Sequence, residues 1–191
     1  AQDVFWKIDG AYTGQISAPM LKSAGANYVI VGHSERRALG ETDSMVAKKI
    51  WQVMQSGLTA ILCVGEKERD GHGDYLNFIE KQIKASLAGI EKSDLKRLVV
   101  AYEPIWAIGK SDRDAMQPAQ IHETGIFVRK VLSDLYGGAL VKKVPILYGG
   151  SVSSAIAQGI LREGEVDGLL VGGKSLDVED FCQIISIANA L

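Results

Sequence analysis

The sequence has 191 residues, 47% hydrophobic and 23% charged, with a formal net charge of −2, which are the proportions of one ordinary globular domain. The charges are mixed and no basic stripe with interleaved aromatics occurs, so a nucleic-acid binder is not indicated, and no apolar run approaches the roughly 18 residues of a membrane span. The two cysteines, Cys63 and Cys182, lie far apart, which argues against a disulfide framework or a zinc site and fits a reducing, cytoplasmic setting.

In chain order, one pattern recurs. A short apolar run ends in glycine or a polar cluster, and an amphipathic segment comes next. The runs are Tyr28 to Val31, Ala60 to Val64, Leu98 to Ala101, Val144 to Tyr148 and Gly168 to Val171. They are rich in β-branched residues and too short for helices. Unbroken apolar runs predict strands buried on both faces, as in parallel sheets. Between them, a helix is expected from an Asp43 cap to about Ser56, with Val46, Ile50, Val53 and Met54 inward. Another is expected to start at Gln117-Pro118, since proline suits a first turn, with Ile121, Phe127, Val128 and Val131 on its apolar face. A last helix runs from about Val178 through Phe181, Ile184 and Ile187. Strands alternating with helices give an α/β architecture in one domain over residues 1–191.

Each strand leads into a polar or glycine-rich segment: GHSERR (Gly32 to Arg37), GEKER (Gly65 to Arg69), EPIWAIG (Glu103 to Gly109), GGSV (Gly149 to Val152) and GGKS (Gly172 to Ser175). The carboxyl ends of the strands are where β/α barrels place their active sites. Taken alone, Glu103 fits a strand-end carboxylate paired with a surface lysine better than it fits a catalytic base. His33 alone fits a hydrogen-bonded core histidine. His72 reads as solvated and His122 as a helix-surface residue. Single glycines read as turn chemistry.

Taken together, GAYTGQIS (Gly10 to Ser17), NYVIVGHSERR (Asn27 to Arg37), YEPIWAIG (Tyr102 to Gly109), YGGSV (Tyr148 to Val152) and DGLLVGGKSL (Asp167 to Leu176) resemble the triosephosphate isomerase family in the family's order. The resemblance covers essentially the whole chain, and YEPIWAIG with GHSERR is highly specific. It implies a TIM-type (β/α) barrel and a cofactor-free, metal-free isomerase acting on a small phosphorylated triose. Glu103 is then the base. His33 is the neutral electrophile for which this family is the standard example, helped by a helix N-terminus that disfavours imidazolium. Glu35 matches the residue that pairs with the family's catalytic lysine. Gly109, Ser151, Gly172 and Gly173 match the phosphate-binding amides, where glycine lets an anion approach the backbone. Pro104, Ile105 and Trp106 match the first hinge of a closing lid, with Ala107, Ile108 and Gly109 at its tip. Residues 110–116 depart from the family's usual Thr-Gly-Lys-Thr-Ala stretch, which leaves the second hinge open. Thr13, Gln15 and Arg36 match subunit contacts and imply a homo-oligomer, with Gln15 in place of the usual glutamate. The strand that carries the family's lysine has no counterpart here. A typical barrel of roughly 250 residues would add about two β/α units ahead of Ala1. The expectation is therefore an incomplete barrel with open edges, impaired in turnover or reduced to a non-catalytic phosphate-binding module. Another phosphate-binding barrel enzyme is permitted by fold but disfavoured by YEPIWAIG.

Overall fold

The apolar runs pair in the computed structural model, which describes residues 1–191, into one parallel sheet in the order β1-β2-β3-β4-β5. The strands are β1 (Tyr28–Val31), β2 (Thr59–Val64), β3 (Leu98–Tyr102), β4 (Ile146–Tyr148) and β5 (Gly168–Leu169). Helices alternate with them: α1 (Ala18–Ser23), α2 (Ser34–Ala38), α3 (Asp43–Gln55), α4 (Asp74–Ser86), α5 (Pro118–Tyr136), α6 (Gly138–Val141), α7 (Ser154–Glu163) and α8 (Val178–Asn189). Sequential neighbours pair throughout, with Tyr28 opposite Thr59, Ala60 opposite Leu98, Val100 opposite Ile146 and Leu147 opposite Gly168. This is an arc of a β/α barrel, incomplete at five strands. Its strands all deliver their outgoing loops to one rim.

Burial tracks strand position. All five residues of the central β3 are buried, whereas edge strand β1 leaves Tyr28 exposed. Against the sheet pack Val46, Ile50 and Val53 of α3, Ile79 and Ile83 of α4, and Ile121, Val128 and Leu132 of α5, all at 0% exposure. Each such side chain contributes about 1.5–3 kcal/mol by leaving water. No helix is long and apolar enough to cross a membrane.

The elements depart from expectation at their ends. The cap of α3 is Thr42, not Asp43: its Oγ1 accepts from the Met45 N–H at 3.3 Å. Asp43 instead pairs with Arg37 at 2.5 Å. Both residue types cap well, and the choice falls to the one still in extended backbone. Val144 and Pro145 lie ahead of β4, and Leu170 and Val171 lie beyond β5. Phe127 and Phe181 are only partly buried. On the β1 edge the chain start lies alongside, with the Ile30 N–H donating to the Ala1 carbonyl at 2.9 Å and the Ala1 ammonium donating to the Tyr28 carbonyl at 2.7 Å.

Candidate active site

Glu103 comes directly after β3, and its N–H continues the ladder to the Val64 carbonyl at 2.8 Å. Its side chain turns inward and is 3% exposed. Oε1 lies 2.9 Å from His33 Nε2, and Oε2 accepts from the Ser34 N–H at 3.2 Å. Two glycines leave the room this requires. A Cβ on Gly65 would stand 1.8 Å from the Glu103 carbonyl oxygen, and one on Gly149 would stand 2.9 Å from Glu103 Cγ. The base and the electrophile inferred from separate motifs, 70 positions apart in sequence, are thus brought into contact.

His33 ends the loop after β1 and is the N-cap of α2, its Nδ1 accepting from the Glu35 N–H at 3.3 Å. That bond leaves the ring proton of the neutral form on Nε2, facing Glu103. Two influences oppose each other on this ring. The helix N-terminus disfavours a second proton, while the Glu103 carboxylate, through its hydrogen bond and charge, raises the pKa above the ordinary value against the lowering effect of burial. The direction set by Glu103 opposes that of the helix N-terminus, whose influence fades within the first turn. Cys63 lies against the same carboxylate, and burial pushes its thiol well above its usual range, so it stays protonated and un-nucleophilic.

The four glycine and serine positions face the same rim. The backbone N–H groups of Gly109, Ser151, Gly172 and Gly173 donate to no acceptor within the chain. Backbone amides free of internal acceptors are the groups an anion would recruit. Gly109 has φ +71°, a left-handed conformation that L side chains adopt at a cost, and Gly172 and Gly173 stand in open space. The Ser151 hydroxyl donates to the Ala107 carbonyl at 2.9 Å and so ties the expected lid tip to this segment.

The segment expected to form the lid hinge is built on a buried carboxylate to which the sequence pattern assigns no role. Glu66, 1% exposed, accepts from Tyr102 Oη at 2.9 Å and from Trp106 Nε1 at 2.8 Å. Residues Ile105–Ala107 form a single 3-10 turn, and the Ile105 N–H donates to the Glu66 carbonyl at 2.9 Å. Tyr148 Oη and Glu66 Oε2 are buried without partners. Only the position of GEKER after β2 hints at Glu66.

Four expected residues lie at or near the surface. The Glu35 side chain is 87% exposed, and its one ionic contact is His33 Nδ1 at 4.0 Å, while its backbone N–H donates to the same nitrogen. Arg36 pairs within the chain with Asp3 at 2.9 Å. Thr13 and Gln15 are exposed in the segment before α1. His72 is exposed, whereas His122 is partly buried and lies 3.4 Å from Glu165.

A family model described as triosephosphate isomerase matches residues 1–188. The chain belongs to the triosephosphate isomerase family. Curated triosephosphate isomerases of Thermus thermophilus, Fusobacterium nucleatum subsp. nucleatum and Syntrophotalea carbinolica are 45%, 43% and 42% identical over 192, 192 and 189 residues. These alignments cover 99%, 99% and 97% of this chain and 76%, 75% and 73% of the relatives. The chain thus spans about three quarters of the length of these triosephosphate isomerases, which matches the five-stranded arc.

Proposed function

We propose that this chain interconverts dihydroxyacetone phosphate and glyceraldehyde 3-phosphate, the aldose–ketose step of glycolysis and gluconeogenesis. The observation that carries the reading is the 2.9 Å contact between the buried Glu103 carboxylate and His33 Nε2. Glu103 takes a proton from the carbon beside the carbonyl. The N–H of His33 donates to the carbonyl oxygen, so that charge develops on an oxygen facing a fixed donor. His33 gives its Nε2 proton to that oxygen and takes one from the adjacent hydroxyl, and Glu103 returns its proton to the neighbouring carbon, which completes the isomerisation without a metal or organic cofactor. The amides of Gly109, Ser151, Gly172 and Gly173 hold the phosphate, and residues 104–109 close over it to exclude water.

None of the lysines among these 191 residues contacts Glu103 or His33. Removing one preorganised donor from such a site typically costs about 10²–10³ in rate. The 191 residues alone are thus expected to turn over slowly. That same observation favours a second reading, a module that binds phosphate without turnover. We place residues 1–191 in the cytoplasm as one domain of a homo-oligomer. Ile8, Tyr12, Ile16 and Met20, which flank Thr13 and Gln15, are exposed apolar side chains that association would cover.

The test is isomerisation of dihydroxyacetone phosphate by the purified chain beside its Glu103→Gln variant. Turnover by the wild type alone supports the isomerase. Binding of 2-phosphoglycolate with turnover equal to the variant supports the phosphate module instead.

A further inference from the structure

Residues 110–116 are where the chain leaves its family's lid pattern, and they are exposed up to Asp114. They are not shapeless. The Asp114 N–H donates to the Ser111 carbonyl at 3.0 Å, and the Ser111 hydroxyl donates to Asp114 Oδ2 at 2.7 Å. Together these bonds close a tight turn with Asp112 and Arg113 at its corner. Asp112 Oδ1 accepts from the Ser153 hydroxyl at 2.9 Å, across 41 positions of sequence.

Ser153 itself behaves unusually. It holds the N-cap position of α7 in extended backbone, where a serine oxygen ordinarily accepts from the helix's own N–H groups. Here it makes no such bond. The first helical N–H, that of Ser154, is taken by Asp180 Oδ1 at 2.9 Å. The Asp180 carboxylate also lies 3.2 Å from the Lys174 ammonium, directly after Gly172 and Gly173. Ser153 is 8% exposed, and its hydroxyl is turned away from its helix toward the lid.

We propose that Asp112 is a positioning residue that latches the divergent half of the lid onto Ser153, beside the Ser151–Ala107 contact that holds the tip. The lid is then fastened at two points to one segment, residues 151–153, which also carries a phosphate-binding amide. Opening requires both bonds to break. A charge-assisted bond of this kind, partly open to water, sets how long the far half of the lid stays down. This inference rests on reading residues 104–116 as a lid, but not on turnover.

The test is limited trypsin digestion of the native chain, with the fragments then identified by mass. Lys110 and Arg113 lie on the latched turn, and Lys7, exposed in the segment before α1, gives an internal reference. Ser153→Ala leaves the cleaved sequences untouched. It is expected to speed cleavage after Lys110 and Arg113 about fivefold, the factor for roughly 1 kcal/mol of lost hydrogen bonding. Cleavage after Lys7 should not change, and Ser153→Thr, which keeps the hydroxyl, should restore protection. Equal rates in wild type and Ser153→Ala would overturn the latch. So would parallel acceleration at Lys7 with a lowered Tm, because that marks Ser153 as a helix cap. An isomerase assay on the same samples reads the catalytic proposal independently, since protection does not require activity.

Discussion

Lys49 on α3 is the buried charge whose removal should cost most. Its side chain is 2% exposed, and it pairs with Glu41, also 2% exposed, and with Asp3 at 2.6 Å. Asp3 in turn holds Arg36 on α2, the helix capped by His33. Lys49→Met keeps most of the volume and removes the ammonium. Glu41, one of whose oxygens already lacks a partner, is then left buried and uncompensated. Breaking a buried pair from one side costs about 3–5 kcal/mol. For a chain of this length that lowers Tm by roughly 6–20 °C, at about 2–4 °C per kcal/mol. Urea unfolding monitored by circular dichroism should show a midpoint lower by at least about 1 M, with an m-value of about 3 kcal/mol/M. Glu41→Leu added to Lys49→Met removes both charges and should recover most of the loss, since apolar replacement of a buried pair is often neutral or stabilising. A single-variant cost under about 1 kcal/mol, or a double variant no better than the single, would refute the reasoning.

Two further predictions concern the site. Gly149→Ala places a methyl 2.9 Å from Glu103 Cγ, so it should displace the carboxylate from His33 and reduce any turnover at least tenfold while phosphate binding is kept; an unchanged rate would show that the carboxylate has slack. His33, with its pKa raised by Glu103, stabilises the fold most below its unfolded pKa of about 6.5, and this contribution is lost as pH rises through the higher folded value. Relative to His33→Gln, the wild type should therefore lose stability between about pH 6 and its folded pKa; parallel stability curves would count against the ion pair.

Much of this fold is legible in the sequence, for a physical reason. Strands buried on both faces must be apolar throughout, so β2 and β3 appear as unbroken runs. The polar segments after them stand out because the loops at one rim carry the chemistry. Glu103 and His33 are identifiable from those segments, and their 2.9 Å contact is implied but not visible. The ends are less legible. Thr42 and Asp43 both cap well, and only the backbone conformation decides between them. β5 stops at Leu169 although the apolar run goes on, because pairing with β4 ends there. Partners distant in sequence are not legible at all. Nothing in the sequence pairs Ser153 with Asp112, or Glu66 with Tyr102 and Trp106. Arg36 reads as a residue for a partner subunit, and its pairing with Asp3 within the chain is not foreseen.

The central claim is that Glu103 moves the substrate proton. Its most direct measurement is deuterium uptake at carbon 1 of dihydroxyacetone phosphate in D₂O, with the purified chain and its Glu103→Gln variant compared at equal concentration. Proton abstraction by a positioned base contributes about 10²–10⁴-fold, so uptake by the wild type should exceed that of the variant by at least about a hundredfold. Equal uptake by the two proteins would contradict the assignment of Glu103 as the base.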